Sequence, residues 1–292
     1  MQLLVHKYFR LRRTLIDCSS AESRREGVLL YRPGRKWLRL LVVSCQWLVV
    51  SDFWFRILCF GLRMIGKLNL KTFDEILPGF DLEKALGCEV EYATIYTGNG
   101  SERSKYTLMV KLVGATVLSC PRSAGTAAAP ADAPCGLTSF GSLETSFSLA
   151  TAVQRIVVKV GNTKGAAEAI KQECEALSRL SKVEALRSCV PVLLEEGSQT
   201  GWTWSAQTVL PRGYSPNKLQ QEHFEFLEKL SRVDREIGRE WVLCHGDFTP
   251  WNCSIVNGKL VVWDWEDAHW GEKGEDEAWF KKQVEELLGV KG

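Results

Sequence analysis

The chain has 292 residues, of which 45% are hydrophobic and 25% charged, with a formal net charge of +2. Those proportions describe an ordinary globular protein of one or two domains. A charge so near balance leaves no global case for nucleic acid or an acidic polymer as partner. The ten cysteines are scattered singly, without a Cys-x-x-Cys pair and without histidines at metal-binding spacing. This speaks against a zinc site and a disulfide framework, and for a reducing, cytoplasmic setting. The opening residues, Met1 to Lys7, carry too short an apolar run for a secretory signal, and Arg10, Arg12 and Arg13 are only a weak transit-peptide pattern.

The first 90 residues are unlike the rest. Trp37 to Leu70 is strongly apolar, and Leu40 to Val50 is broken only by Ser44 and Gln46. That run is shorter than the roughly 20 residues a membrane span needs, and Asp52, Arg56, Arg63 and Lys67 interrupt the longer window. The pattern predicts one or two amphipathic helices with breaks at Gly61 or Gly66. They would pack on the remainder of the molecule, or lie as a basic, Trp-rich helix on a membrane surface. Residues 1–90 are therefore expected to be a helical extension, with 36–68 as the segment for peripheral membrane contact.

From residue 91 the pattern becomes β. Glu91 to Thr97 and Tyr106 to Leu112 read as strands joined by a turn at Gly98-Asn99-Gly100-Ser101. Gly98 and Gly100 would let the main chain approach a phosphate closely. Residues 114–150, rich in small side chains, read as an insertion between strands. Arg155 to Gly161 resumes a strand that carries Lys159, and Ala166 to Leu180 is helical, with Ile170, Cys174, Leu177 and Leu180 at helical spacing. Val190 to Leu194 and Trp202 to Leu210 complete a small lobe spanning 91–210. Pro211-Arg212-Gly213 opens a second lobe, 211–292. In it His223 to Val233 reads as a helix with Phe224, Leu227, Leu230 and Val233 in the core and His223 facing solvent.

The densest signal is the run from Cys244 to Asn252, in which His245-Gly246-Asp247 is followed by Phe248-Thr249-Pro250-Trp251-Asn252. Pro250 stiffens the loop by fixing φ. Two apolar runs then flank Asn257-Gly258, the strongest short-range hairpin signal. The hairpin returns the chain so that Asp264 arrives beside Asn252. An Asp, an Asn and a second Asp in this order suit phosphoryl transfer, which asks for a carboxylate to take the acceptor's proton and for hard oxygen ligands to a metal on the phosphates.

These residues resemble the catalytic loop and metal-binding segment of the aminoglycoside phosphotransferase and choline kinase family. The resemblance implies an α+β fold of the two-lobed protein-kinase-like type: a small antiparallel β lobe plus a mostly helical lobe. It implies ATP and Mg²⁺, with Asp247 as catalytic base, Asn252 and Asp264 as metal ligands and His245 as a structural residue of the loop. Lys159 becomes the phosphate-binding lysine. Glu173 becomes its helix partner, because Glu173, Leu177 and Leu180 match the family's Glu-x-x-x-Leu-x-x-Leu pattern. Glu175 is the fallback. The Gly98–Gly100 turn would cover the phosphates, and the hinge near Thr208 to Leu210 would bond the adenine. Protein kinases usually have Arg where Gly246 stands and Phe-Gly where Trp265-Glu266 stand, so the small-molecule branch is favoured.

Tyr31-Arg32-Pro33-Gly34, Ile95 to Gly98, Lys159-Val160-Gly161 and Asp264-Trp265-Glu266 look more narrowly like members associated with bacterial surface-polysaccharide clusters. The implied activity is transfer of a γ-phosphate to a hydroxyl of a small molecule: a sugar, an aminoglycoside or an amino alcohol. The rival readings are a non-catalytic nucleotide-binding protein and a protein kinase. The family usually continues well beyond its second Asp. Here a short tail follows, with a helix expected over 280–290. Glu272, Glu275, Asp276 and Glu277 read as a solvated helix start, as a site for a cationic acceptor or, at Asp276, as the family's downstream structural Asp.

Overall fold

A computed structural model describes residues 6–11, 13–30, 51–64, 70–98, 100–113, 155–233 and 241–288. The molecule is α+β, and its largest element is an antiparallel sheet of eight strands in the order β3-β1-β2-β4-β5-β6-β8-β7. These are β1 (Lys7–Leu11), β2 (Thr14–Asp17), β3 (Leu70–Thr72), β4 (Val90–Thr97), β5 (Tyr106–Leu112), β6 (Arg155–Gly161), β7 (Leu193–Gln199) and β8 (Trp202–Thr208). Alternation explains the strands. Leu108, Val110 and Leu112 of β5 and Ile156, Val158 and Val160 of β6 are all buried in one cluster, two residues apart along each strand. Lys159 lies between two of them and so points to the opposite face.

The N-terminal 90 residues are not the purely helical extension that their composition predicts. Three of their segments are strands of the main sheet, with β2 paired to β4 at Leu15↔Ile95. The strands are only three to five residues long, too short to compete as a periodic signal with the apolar run that follows. Among the described residues, four helices accompany them: α1 (Ala21–Leu30), α2 (Asp52–Met64), α3 (Phe73–Ile76) and α4 (Leu82–Leu86). Of the expected membrane-facing segment 36–68, residues 36–50 and 65–68 lie outside the described residues, as does the 114–150 insertion. The described part, α2, is amphipathic. It buries Phe55 and exposes Phe53, Ile57, Phe60 and Met64. Among the described residues no helix is long and apolar enough to cross a membrane, and the seven described cysteines are free.

Helix α5 (Lys164–Leu180) is capped by Thr163 and buries Ile170, Glu173, Cys174, Leu177 and Leu180. The stretch expected as the second lobe holds α6 (Gln221–Leu230), β9 (Trp241–Cys244), β10 (Cys253–Val256), β11 (Lys259–Val262), β12 (His269–Glu272) and α7 (Glu275–Leu288). Its strands form two two-stranded sheets, β10 with β11 and β9 with β12, so the described part of this lobe is less helical than the resemblance implies. Its core joins Leu177 of α5 to Phe226, Phe248, Val262, Trp265 and Phe280.

One orientation on α6 is the reverse of that expected. His223 is fully buried while Phe224 is 43% exposed. The ring packs edge-on against Phe248 and Phe280, and Nδ1 accepts the Gln220 N–H at 3.1 Å. An aromatic ring that can also close the helix start satisfies both packing and hydrogen bonding, and burial pushes its pKa down to about 4. Helix α7 begins five residues earlier than the apolar spacing predicts, because its first turn is the acidic Glu275-Asp276-Glu277, favoured by the helix dipole.

Candidate active site

The β10–β11 hairpin sets the site. Asn257 and Gly258 both have positive φ, +49° and +72°, as a two-residue type I′ turn requires. The ladder pairs Cys253 with Val262, and the Trp263 N–H donates to the Asn252 carbonyl at 3.0 Å. Asn252 and Asp264 thus leave the hairpin at the same end. Asp264 itself has φ +70°, a conformation costing about 1–3 kcal/mol in a non-glycine residue. The turn it makes sends Trp265 into the core, where the ring is fully buried with its centroid 4.6 Å from that of His245.

Lys159 meets this segment from β6. Its Nζ lies 2.5 Å from Glu173 Oε1 and 2.6 Å from Asp264 Oδ1. Glu173 Oε1 also accepts the Trp265 N–H at 3.2 Å, so α5, β6 and the segment after β11 are locked together at one carboxylate. Burial works against the Lys159 charge, but Asp264 and Glu173 outweigh it and hold the ammonium above its ordinary pKa. Burial likewise opposes ionisation of Asp264, and the Lys159 and Lys105 ammoniums outweigh it, holding this carboxyl well below the usual range.

The catalytic loop is held from three sides. Fully buried His245 accepts the Asp247 N–H at Nδ1, 3.2 Å away, and donates from Nε2 to the Trp263 carbonyl at 3.0 Å. This ties the loop to the strand that carries Asp264. Gly246 has φ +81°, and a Cβ there would lie 2.1 Å from the Asp267 carbonyl oxygen, which excludes any larger residue. Asp276 at the start of α7 accepts the His245 N–H at 2.8 Å and the Gly246 N–H at 3.1 Å. The acidic run therefore serves the loop as well as the helix dipole. Asp276→Ala would leave both amides without an acceptor. We expect a loss of about 2–6 kcal/mol of stability, at 1–3 kcal/mol for each unsatisfied buried group, read from urea unfolding; an unchanged midpoint would refute the clamp.

Asp247 has both carboxylate oxygens engaged. Oδ2 accepts from Asn252 Nδ2 at 2.8 Å and Oδ1 from Trp279 Nε1 at 3.0 Å. Burial pushes its pKa up and the nearby Asp264 charge adds to this, against the opposing Trp279 and Asn252 bonds. Because Asn252 turns its Nδ2 to Asp247, its Oδ1 is left as the atom for a cation. The two lysines both take Oδ1 of Asp264, leaving Oδ2. These are hard oxygen donors of the kind Mg²⁺ takes, so the donor set fits that ion.

The other expected residues lie on the sheet and its turns. Gly98 and Gly100 shape the β4–β5 turn, where the Gly98 N–H donates to the Lys105 carbonyl and the Gly100 N–H to Ser104 Oγ, each at 3.1 Å. Thr208 ends β8 with its N–H on the Val192 carbonyl at 3.0 Å and its Oγ1 accepting the Val192 N–H at 2.9 Å. Leu210 follows, half-buried.

Sequence reading missed three groups. Lys105, at the foot of the Gly-rich turn, is buried, lies 3.4 Å from Asp264 Oδ1 and pairs with Glu266. Burial and then repulsion from Lys159 push its pKa down. Arg103, at the turn's tip, bonds Asp267 Oδ1 at 2.7 Å and the Glu266 carbonyl at 3.2 Å. Neither has a spacing signature, since their partners lie some 160 positions away. Trp279 could have been found: it stands three residues after Asp276 on α7, and that interval puts both on one helix face.

Residues 211–282 match the model of the phosphotransferase enzyme family (APH). That stretch contains Asp247, Asn252, Asp264, Asp276 and Trp279, and the match bears out the family resemblance read from the catalytic loop. No curated protein matches the chain. Among solved structures, the chain is similar to amicoumacin kinase hAmiN in complex with AMP-PNP, Ca²⁺ and Ami, at 12% identity and a TM-score of 0.39, over 73% of this chain and 72% of that one.

Proposed function

We propose that the chain is an ATP- and Mg²⁺-dependent phosphotransferase that moves the γ-phosphoryl group to a hydroxyl of a small molecule: a sugar, an aminoglycoside or an amino alcohol. The observation that carries this reading is the meeting of Lys159, Glu173 and Asp264 at 2.5–2.6 Å, beside an Asp247–Asn252 pair on a segment matched by the phosphotransferase family. In this reading Asp247 takes the proton of the acceptor hydroxyl. Asn252 and Asp264 hold the metal, which when bound neutralises charge on the phosphates. Lys159, oriented by Glu173, contacts the phosphates, and Lys105 is a second cation beside them. The Gly98–Gly100 turn covers the phosphates, and the chain near Thr208 and Leu210 faces the adenine.

Charge balance supports the assignment. Lys105 and Lys159 stand against Glu173, Glu266 and Asp264, and a divalent cation would turn that excess of carboxylate into an excess of positive charge facing a polyphosphate. The test is Mg²⁺-dependent ADP release across a panel of sugars, choline analogues and aminoglycosides. Turnover of one panel member well above the water background is expected. Tight ATP binding with no turnover on any acceptor would favour the second reading, a nucleotide-binding protein without catalysis, which the Trp279 bond to Asp247 favours. For residues 36–68 we propose contact with a membrane surface. The exposed apolar side of α2 supports it, and failure to co-sediment with anionic vesicles would remove it.

A further inference from the structure

Beside the catalytic loop lies a cluster of ligating side chains that the proposed phosphoryl transfer does not use. Cys244 ends β9, His269 opens β12, and the two are direct cross-strand partners. Opposed residues of an antiparallel pair project from the same face of the ribbon. Glu275, the first residue of α7, reaches over that face. Cys244 Sγ, His269 Nε2 and a Glu275 carboxylate oxygen all lie within 4.8 Å of one another. Bonds of roughly 2.0–2.3 Å to sulfur, nitrogen and oxygen place the ligands of a tetrahedral ion roughly 3–4 Å apart. Small side-chain movements would close this triangle on one ion.

Two independent features point the same way. His269 Nδ1 lies 2.9 Å from the Asp267 carbonyl oxygen. A carbonyl only accepts, so Nδ1 carries the proton and Nε2 has the lone pair in the neutral ring. Metal-binding histidines are oriented by this kind of outer bond. The second feature is Gly271, two residues along β12 on the same face. A Cβ there would lie 2.3 Å from Glu275 Oε2 and 3.1 Å from Cys244 Sγ. Glycine keeps open the space in which the carboxylate and the thiol approach each other.

We propose that Cys244, His269 and Glu275 form a binding site for one borderline-soft divalent ion, Zn²⁺ fitting best, with the fourth position open to water. Sulfur and imidazole donors set it apart from the all-oxygen donor set of Asn252 and Asp264, which suits Mg²⁺. On binding, the Cys244 thiol loses its proton to solvent, as does the Nε2–H of His269 that bonds Glu275 Oε1 at 2.7 Å in the metal-free site; the thiolate sulfur and the freed Nε2 lone pair then bond the ion. Cys244 directly precedes His245, and Glu275 directly precedes Asp276, whose carboxylate holds the loop amides. The ion therefore joins the strand entering the catalytic loop to the helix that clamps it. The ligands come from three elements, which is why no zinc spacing is legible in the sequence.

Co²⁺ is the optical probe, titrated into the full chain. One equivalent should produce a thiolate-to-cobalt charge-transfer band that Zn²⁺ displaces. Cys244→Ser should abolish that band and weaken Zn²⁺ binding by at least about tenfold, since even outer-shell changes commonly cost 10–100-fold. His269→Gln and Glu275→Gln alter partly exposed side chains and so keep the test open if the cysteine variant misfolds; each should weaken Zn²⁺ binding by a similar factor. Zn²⁺ should raise the Tm of the wild type but not of these variants. Absence of the band, or a band equal in Cys244→Ser and wild type, overturns the proposal. Nucleotide binding with Mg²⁺ is read separately, so loss of one assignment leaves the other standing.

Discussion

Replacing Asp247 by Asn should leave nucleotide affinity close to wild type and lower turnover by at least about a hundredfold. A positioned general base is worth roughly 10²–10⁴ in rate. The amide can keep the Trp279 bond to Oδ1 and stay in place without being able to take a proton. The same residue sets a pH dependence. Only the ionised carboxylate can act as base, and burial raises its pKa above the ordinary aspartate value. Activity should therefore fall as the pH drops, with its inflection above 3.8, the value from which the shift starts. Calorimetry with an ATP analogue beside a steady-state assay reads both halves. Equal turnover in the variant, or loss of nucleotide binding in step with activity, would remove the base assignment.

The second large effect is expected at Asp264. Its carboxylate is the counter-ion shared by Lys159 at 2.6 Å and Lys105 at 3.4 Å. Asp264→Ala should abolish Mg²⁺-dependent nucleotide binding, because Asn252 alone is a poor cation site. It should also destabilise the chain, since removing one partner of a buried pair strands the other, at about 3–5 kcal/mol in fully buried cases. Asp264 is 35% exposed, which places the expected loss below that range. Binding isotherms with and without Mg²⁺ separate the two effects. Unchanged Mg²⁺-dependent affinity would reject the ligand role.

The legible parts of the site are those written locally. Asp247 and Asn252 share one loop, and the Asn257-Gly258 turn fixes where Asp264 arrives, so spacing and turn chemistry suffice. Lys159 and Glu173 stand fourteen residues apart on consecutive elements, and it is the family's Glu-x-x-x-Leu-x-x-Leu pattern that favours Glu173 over Glu175 as partner. Lys105, Arg103 and Trp279 depend on contacts between segments that no local pattern links. The error at the N-terminus has a related origin. A composition dominated by the apolar stretch after Trp37 hides three short strands, whose pairing is decided by the edge that β4 offers. His223 defies the solvent-facing expectation because polarity is a poor proxy for exposure: an imidazole between Phe248 and Phe280 behaves as an aromatic ring.

The tip of the Gly-rich turn is fastened to the segment after Asp264 by ions: Arg103 to Asp267, half in solvent, and Lys105 to Glu266. In the proposed function an incoming triphosphate would compete for those same two cations, so nucleotide capture would begin by unbuttoning them. Since an exposed ion pair weakens as salt screens it, the turn should move more freely at high ionic strength, and under the proposed function the rate of nucleotide capture should rise with salt before screening of the phosphates themselves brings it down.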